Sequence, residues 1–235
     1  MNEVLRSAVG DFHEVVHEIK PRLRGWLHLV NAPLTLAAGI VLIVLSPTAG
    51  TRIGSAVYTA SALLLFTVSA IYHRGRWSPR THAFLQRFDH ANIFLLIAGS
   101  YTPFTLVLLH GTPRTVMLTV VWVGALLGCL FRIFWISAPR WLYVGIYLGL
   151  GWAAIAYLPA YIHGGAQLGL GVGITVLVLA AAGGLLYTAG AVMYGLKRPD
   201  PWPNWFGFHE MFHTMTILAF VTHYVGVSIA TYSLR

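Results

Sequence analysis

The sequence predicts an all-α membrane protein. Seven transmembrane helices form a bundle with a cytoplasmic N-terminus and an outside C-terminus, and a short amphipathic surface helix precedes the first span. Three observations predict this. Of 235 residues, 57% are hydrophobic and only 9% charged, with a mean hydropathy of +0.71; a soluble domain carries roughly 25% charged residues. Seven apolar runs each come near the roughly 20 residues that a spanning helix needs. The basic residues also gather on one side of those runs, as cytoplasmic loops do.

The elements follow in order. In residues 1–20, Val4, Leu5, Ala8, Phe12, Val15, Val16 and Ile19 recur at helical spacing, with Asp11, Glu14, Glu18 and Lys20 between them. That pattern suits a helix lying on the membrane surface and ended by Pro21. Lys20, Arg22 and Arg24 then meet anionic head groups. Residues 1–24 thus read as a surface segment and 25–235 as the transmembrane domain. The apolar runs lie at about 27–46, 53–73, 89–109, 115–136, 141–161, 167–194 and 208–232. Pro103 and Pro159 should kink or end the third and fifth helices. Gly169, Gly171, Gly173, Gly183, Gly184 and Gly190 give the sixth run a close-packing surface rather than a phosphate loop.

Charge sets the orientation. Arg6, Lys20, Arg22, Arg24, Arg74, Arg76, Arg80, Arg87, Arg132, Arg140, Lys197 and Arg198 fall on one side, and only Arg52, Arg114 and Arg235 on the other. The larger set marks the cytoplasmic side, so the chain reads as a multi-pass protein of the cell membrane. The net charge of +8 is therefore topological, and no soluble face is long enough to bind nucleic acid. The single cysteine, Cys129, excludes an intrachain disulfide and a CxxC zinc site. No small-residue cleavage site follows the first apolar run, so no cleavable signal peptide is expected. There is no internal repeat.

Topology gives depth. His28 opens span one, His73 ends span two, Asp89 opens span three, and His209 and His213 open span seven. Four helices thus bring His or Asp to the same, cytoplasmic-side level. His209 and His213 are four apart and share one helix face. Three neutral imidazoles with an open fourth position make a catalytic zinc site, and the absence of cysteine argues against a structural thiolate site. The ligand set is His73, His209 and His213. Zn2+ there lowers the pKa of bound water toward ~7. Asp89 is the candidate general base. Ser69, four residues before His73 on the same face, could orient a ligand, the water or a substrate carbonyl.

Those motifs, Ser69-x3-His73, the run from Asp89 to Pro103 and His209-x3-His213, resemble the haemolysin III family. This is the bacterial branch of the progestin and adipoQ receptor family, which includes the adiponectin receptors. The resemblance covers roughly residues 20 to 232. It implies a seven-helix fold with zinc near the inner leaflet, held by His73, His209 and His213, with Asp89 holding the catalytic water. Adiponectin receptors are associated with ceramidase activity, so a ceramide-like membrane lipid is the implied substrate. Of the family's first motif, a Glu and an Asn leading to a His, only His28 is present here.

The sequence therefore reads as a zinc-dependent intramembrane hydrolase of a lipid amide. Two alternatives stand beside it. One is a non-enzymatic zinc-containing membrane protein, receptor-like or a pore-forming haemolysin, although seven apolar helices without a polar stripe argue against a wide aqueous pore. The other is a zincin-like intramembrane protease, because His209-Glu210-x-x-His213 matches that signature with Glu210 as base. Against it, a solvated Glu210 in a first helical turn is adequately explained by the helix dipole. Asp200 reads as a solvated turn residue. His223, roughly 15 Å of helix beyond His213, reads as a packed, hydrogen-bonded side chain. His90 should face another side of its helix, and His13, His17, His82, His110 and His163 should be solvated, the last three in loops. Trp26, Trp77, Trp135, Trp141, Trp202 and Trp205 form an interfacial belt.

Overall fold

The computed structural model describes residues 21–235. The expected surface helix over 1–20, with His13 and His17, lies outside them. Among the described residues the chain is helical, without a named strand, and seven helices are long and apolar enough to cross a membrane. Spans one to seven run Trp26–Leu45, Ala49–Arg74, Pro79–Leu108, Gly111–Phe134, Arg140–Gln167, Leu170–Leu196 and Phe208–Tyr232. Consecutive helices pack as antiparallel neighbours, and span seven also returns to span one. Span three is the most enclosed, with 72% of its most apolar window buried, against 17% for spans five and six; span two follows at 61%. The helices that carry His73 and Asp89 are therefore the central ones. One end of the bundle holds Arg22, Arg74, Arg76, Arg80 and Lys197.

Local chemistry explains the boundaries. The Thr48 hydroxyl accepts from Thr51 N at 3.2 Å and caps span two. Ser78 caps span three through Thr81 N at 3.3 Å, and Pro79 fills the first turn, where no backbone donor is needed. Span three therefore starts ten residues before the expected position 89. Its first turns carry Arg80, His82 and Arg87, so the helix outruns its apolar portion. Asp89 accordingly lies inside the helix rather than at its mouth. Pro103 does not end span three, which continues to Leu108.

Span five breaks. Helix Arg140–Gly151 passes through a 3-10 turn at Ala153–Tyr157 into helix Leu158–Gln167, with Pro159 in the first turn of the second half. A break in hydrocarbon must find partners for its freed backbone groups. The Tyr101 hydroxyl supplies two, donating to Gly151 O at 2.6 Å and accepting from Ala154 N at 3.1 Å. The glycines of span six pack closely only in part. A Cβ on Gly173 would strike the Gly165 carbonyl and one on Gly183 would strike the His223 ring, whereas Gly169 and Gly171 face open space. The six belt tryptophans are all exposed, from 40% at Trp77 to 74% at Trp141.

Candidate metal centre

His73 stands in the last turn of span two, and its side chain is buried. His209 and His213 stand in the first two turns of span seven, one half-buried and one buried. The backbone donors of that helix end are met by two acids. Asp200 accepts from Phe208 N at 3.0 Å and Glu210 from Gly207 N at 2.9 Å, satisfying groups that a helix leaves open.

The sequence places these histidines on two helices, spans two and seven, and the fold converges them. His73, His209 and His213 each offer a ring nitrogen, and the three atoms lie within 4.8 Å of one another. The His73 and His209 Nε2 atoms are 3.2 Å apart. Two nitrogens about 2.05 Å from one tetrahedral ion stand about 3.3 Å apart, so this pair already has the spacing of two ligands. Nδ1 of His213 is buried without a hydrogen-bond partner. A donor set of three imidazoles, one of them incompletely satisfied, fits a borderline-soft divalent ion. These residues could hold a metal.

Asp89 and Ser69 join the cluster. Asp89 Oδ2 lies 3.7 Å from His73 Nε2. Ser69 and Asp89 both line the cavity at this cluster, with the Ser69 hydroxyl beside the Asp89 carboxylate. The carboxylate therefore stands next to the candidate ligand atoms. His28 completes the wall. It is 2% exposed, and its ring stacks on His213 with centroids 3.9 Å apart and an interplanar angle of 19°. Neither of its ring nitrogens makes a hydrogen bond of ordinary geometry.

Glu210 differs from its expectation. It is not solvated: its side chain is fully buried and ion-paired with Arg24. Arg24 was expected among lipid head groups. Instead its segment is bound to the loop before span seven, with Arg22 N donating to Asn204 O and Leu23 N to Trp205 O. His90 is engaged elsewhere, its Nδ1 3.3 Å from an Arg132 nitrogen. His223 is buried, with Nε2 3.0 Å from Ala180 O, as expected. His82, His110 and His163 are exposed, but His82 and His163 lie in helices rather than loops.

A cavity of about 470 Å³ begins at this cluster. Ser69, Asp89, His209 and His213 line one end, and Leu108, Tyr161 and Leu177 the other. Asp89 and Leu108 are nineteen residues apart on one helix, about 28 Å of rise, close to the hydrocarbon thickness of a bilayer. The walls between are mostly apolar side chains of spans three, five, six and seven.

Comparison with known proteins places these residues in context. The sequence profile described as haemolysin-III related matches residues 16–224. The hemolysin-3 homolog of Bacillus subtilis (strain 168) is 34% identical over 175 residues, covering 73% of this chain and 78% of that protein. Hemolysin-3 of Bacillus cereus is 33% identical over 171 residues, 71% of this chain and 74% of that one. The adiponectin receptor protein of Drosophila melanogaster is 30% identical over 159 residues, 60% of this chain and 34% of that protein.

Proposed function

The chain belongs to the haemolysin-III related family, and from that premise we propose a zinc-dependent hydrolase of a membrane lipid amide, ceramide-like in chemistry, in the cell membrane. One observation carries the reading: three imidazoles and a neighbouring carboxylate close one end of a long apolar cavity. His73, His209 and His213 would hold the ion. Zinc in such a site supplies Lewis acidity and a water that ionises near neutral pH.

The chain's own residues do the rest. Asp89, beside Ser69, removes a proton from the attacking water and returns it to the departing amine nitrogen. The water oxygen bonds to the carbonyl carbon, the C–N bond breaks, and acid and amine products result. The cavity takes the acyl chain and excludes bulk water. Apolar walls of this size suit a lipid tail.

The test is a lipid-amide hydrolysis screen on zinc-loaded protein, with metal content measured alongside. Asp89→Asn should lower turnover by roughly 10²–10⁴-fold and keep its zinc. Wild type that binds zinc and hydrolyses no lipid amide would instead support the non-enzymatic reading suggested by the haemolysin names of the relatives. Activity lost in Glu210→Gln but kept in Asp89→Asn would point to the protease reading.

A further inference from the structure

Span one brings a fourth imidazole to the cluster, and its geometry sets it apart from the other three. His73 and His209 meet at 80°, His209 and His213 at 72°, and His73 and His213 at 58°. An imidazole binds a metal through a lone pair in its own ring plane, so planes inclined like these can meet at one ion. His28 instead lies face to face with His213, with centroids 3.9 Å apart. Two planes so stacked and inclined by only 19° intersect roughly 10 Å away, far beyond the ~2.05 Å of a zinc–nitrogen bond. In this arrangement His28 does not share an ion with His213.

The surroundings of His28 assign it a different task. A metal-bound histidine is usually oriented by a hydrogen bond from its other ring nitrogen to a carboxylate or carbonyl. Nδ1 of His213 makes no hydrogen bond, and the ring is held by contact with its face. His28 supplies that contact and is itself wedged in place. The buried Phe66 meets it edge to face at 5.0 Å and 62°, and Phe220 closes on Phe66 at 5.4 Å and 81°. The start of span one also presses against the ligand end of span two: a Cβ on Gly25 would come 2.8 Å from Cβ of His73. The stack thus belongs to a packed column drawn from spans one, two and seven. Coordination draws electron density out of an imidazole, and an electron-poor ring is stabilised by a neutral aromatic face as a cation is.

We infer that His28 is a positioning residue for the metal centre: its ring face holds the His213 imidazole in the orientation that binds the ion. The inference rests on the metal reading proposed above and adds to it a residue that donates no atom to the ion. The flat face of His28 is what matters, and its two nitrogens are dispensable, since neither makes a hydrogen bond of ordinary geometry.

Metal affinity, not turnover, tests this. Full-length protein in lipid nanodiscs is stripped of metal and titrated with Co2+ against a chelator, and the visible spectrum reports the ligand geometry of the ion. His28→Phe keeps a flat face, His28→Leu keeps bulk without one, and His213→Ala removes the ligand. His28→Leu should weaken Co2+ binding by roughly 10–100-fold and alter the spectrum, whereas His28→Phe should match wild type in both. Equal weakening in His28→Phe and His28→Leu shows that a His28 nitrogen is needed and overturns the stack. Wild-type affinity and spectrum in both variants also overturn it, and leave the metal centre intact; a lower metal-free melting temperature in His28→Leu then marks His28 as packing only. If His28→Leu does not fold, His28→Phe decides: an unchanged affinity and spectrum support the stack, and a loss of either overturns it. Wild type that binds Co2+ no better than His213→Ala overturns the metal centre and the stack together.

Discussion

Glu210 shows how one side chain changes meaning between sequence and structure. Its position between His209 and His213 gives the zincin spacing, yet its carboxylate is committed to Arg24 and to Gly207 N. A buried acid so paired is poorly placed to act as a base. Removing one partner of a buried pair leaves the other uncompensated. Glu210→Gln keeps an acceptor for Gly207 N but loses the charge pair, and should destabilise the protein by on the order of 2 kcal/mol, read as a lower melting temperature. Turnover per bound zinc should stay near wild type. The three imidazoles behave differently. Because they would hold the ion only when folded, zinc at about a hundred times Kd should add roughly 2.7 kcal/mol of stability. His73→Ala should abolish that zinc-dependent rise in melting temperature, and a chelator should abolish it in wild type. Acidification should weaken it too, because protons compete with the metal for imidazole nitrogen. The candidate ligands were legible because His73, His209 and His213 end or begin apolar runs at one level. Arg24 was not, because a pairing across 186 residues leaves no local pattern.

At the level of helices, apolar periodicity located all seven spans but misjudged where polar residues extend them. Span three begins at the Ser78-Pro79 cap, and its first turns continue the helix beyond the hydrophobic stretch. Asp89 is consequently held between packed neighbours. Span five shows the opposite error. Its run is apolar throughout, so hydropathy could not reveal the break at Ala153–Tyr157; Pro159 was the only hint. The glycines of span six divide by contact rather than by composition. At Gly173 an added Cβ meets the backbone of Gly165, which cannot rotate away, whereas at Gly171 it meets nothing within 4 Å. Gly173→Ala should therefore cost about 1–3 kcal/mol through overpacking and loosen the span five–span six contact. Gly171→Ala, on the same helix, should be neutral or slightly stabilising, since alanine is the better helix former. Thermal unfolding of the two variants in one detergent checks the contrast.

Across the whole molecule, charge and chemistry sit at one end. Among the described residues, Asp89, Asp200 and Glu210 and most of the basic side chains lie at the end where span two finishes and span seven starts. The opposite end has Arg52, Arg114 and Arg235. On the rule that positive charge is retained on the cytoplasmic side, we propose that the histidine cluster faces the inner leaflet and the far end of the cavity the outer one. A lipid chain in the cavity would accordingly enter with its reacting carbonyl near the inner surface. Single cysteines read this directly in a Cys129→Ala background, where Cys129 itself is half-buried with its thiol on Ala91 O. Thr112 and Arg76 are both exposed, at opposite ends. In intact cells a membrane-impermeant thiol reagent should modify Thr112→Cys and spare Arg76→Cys, and lysis should make Arg76→Cys reactive. The converse labelling would invert the bundle, and would move the histidine cluster to the outer leaflet, where a different pool of lipid would meet it.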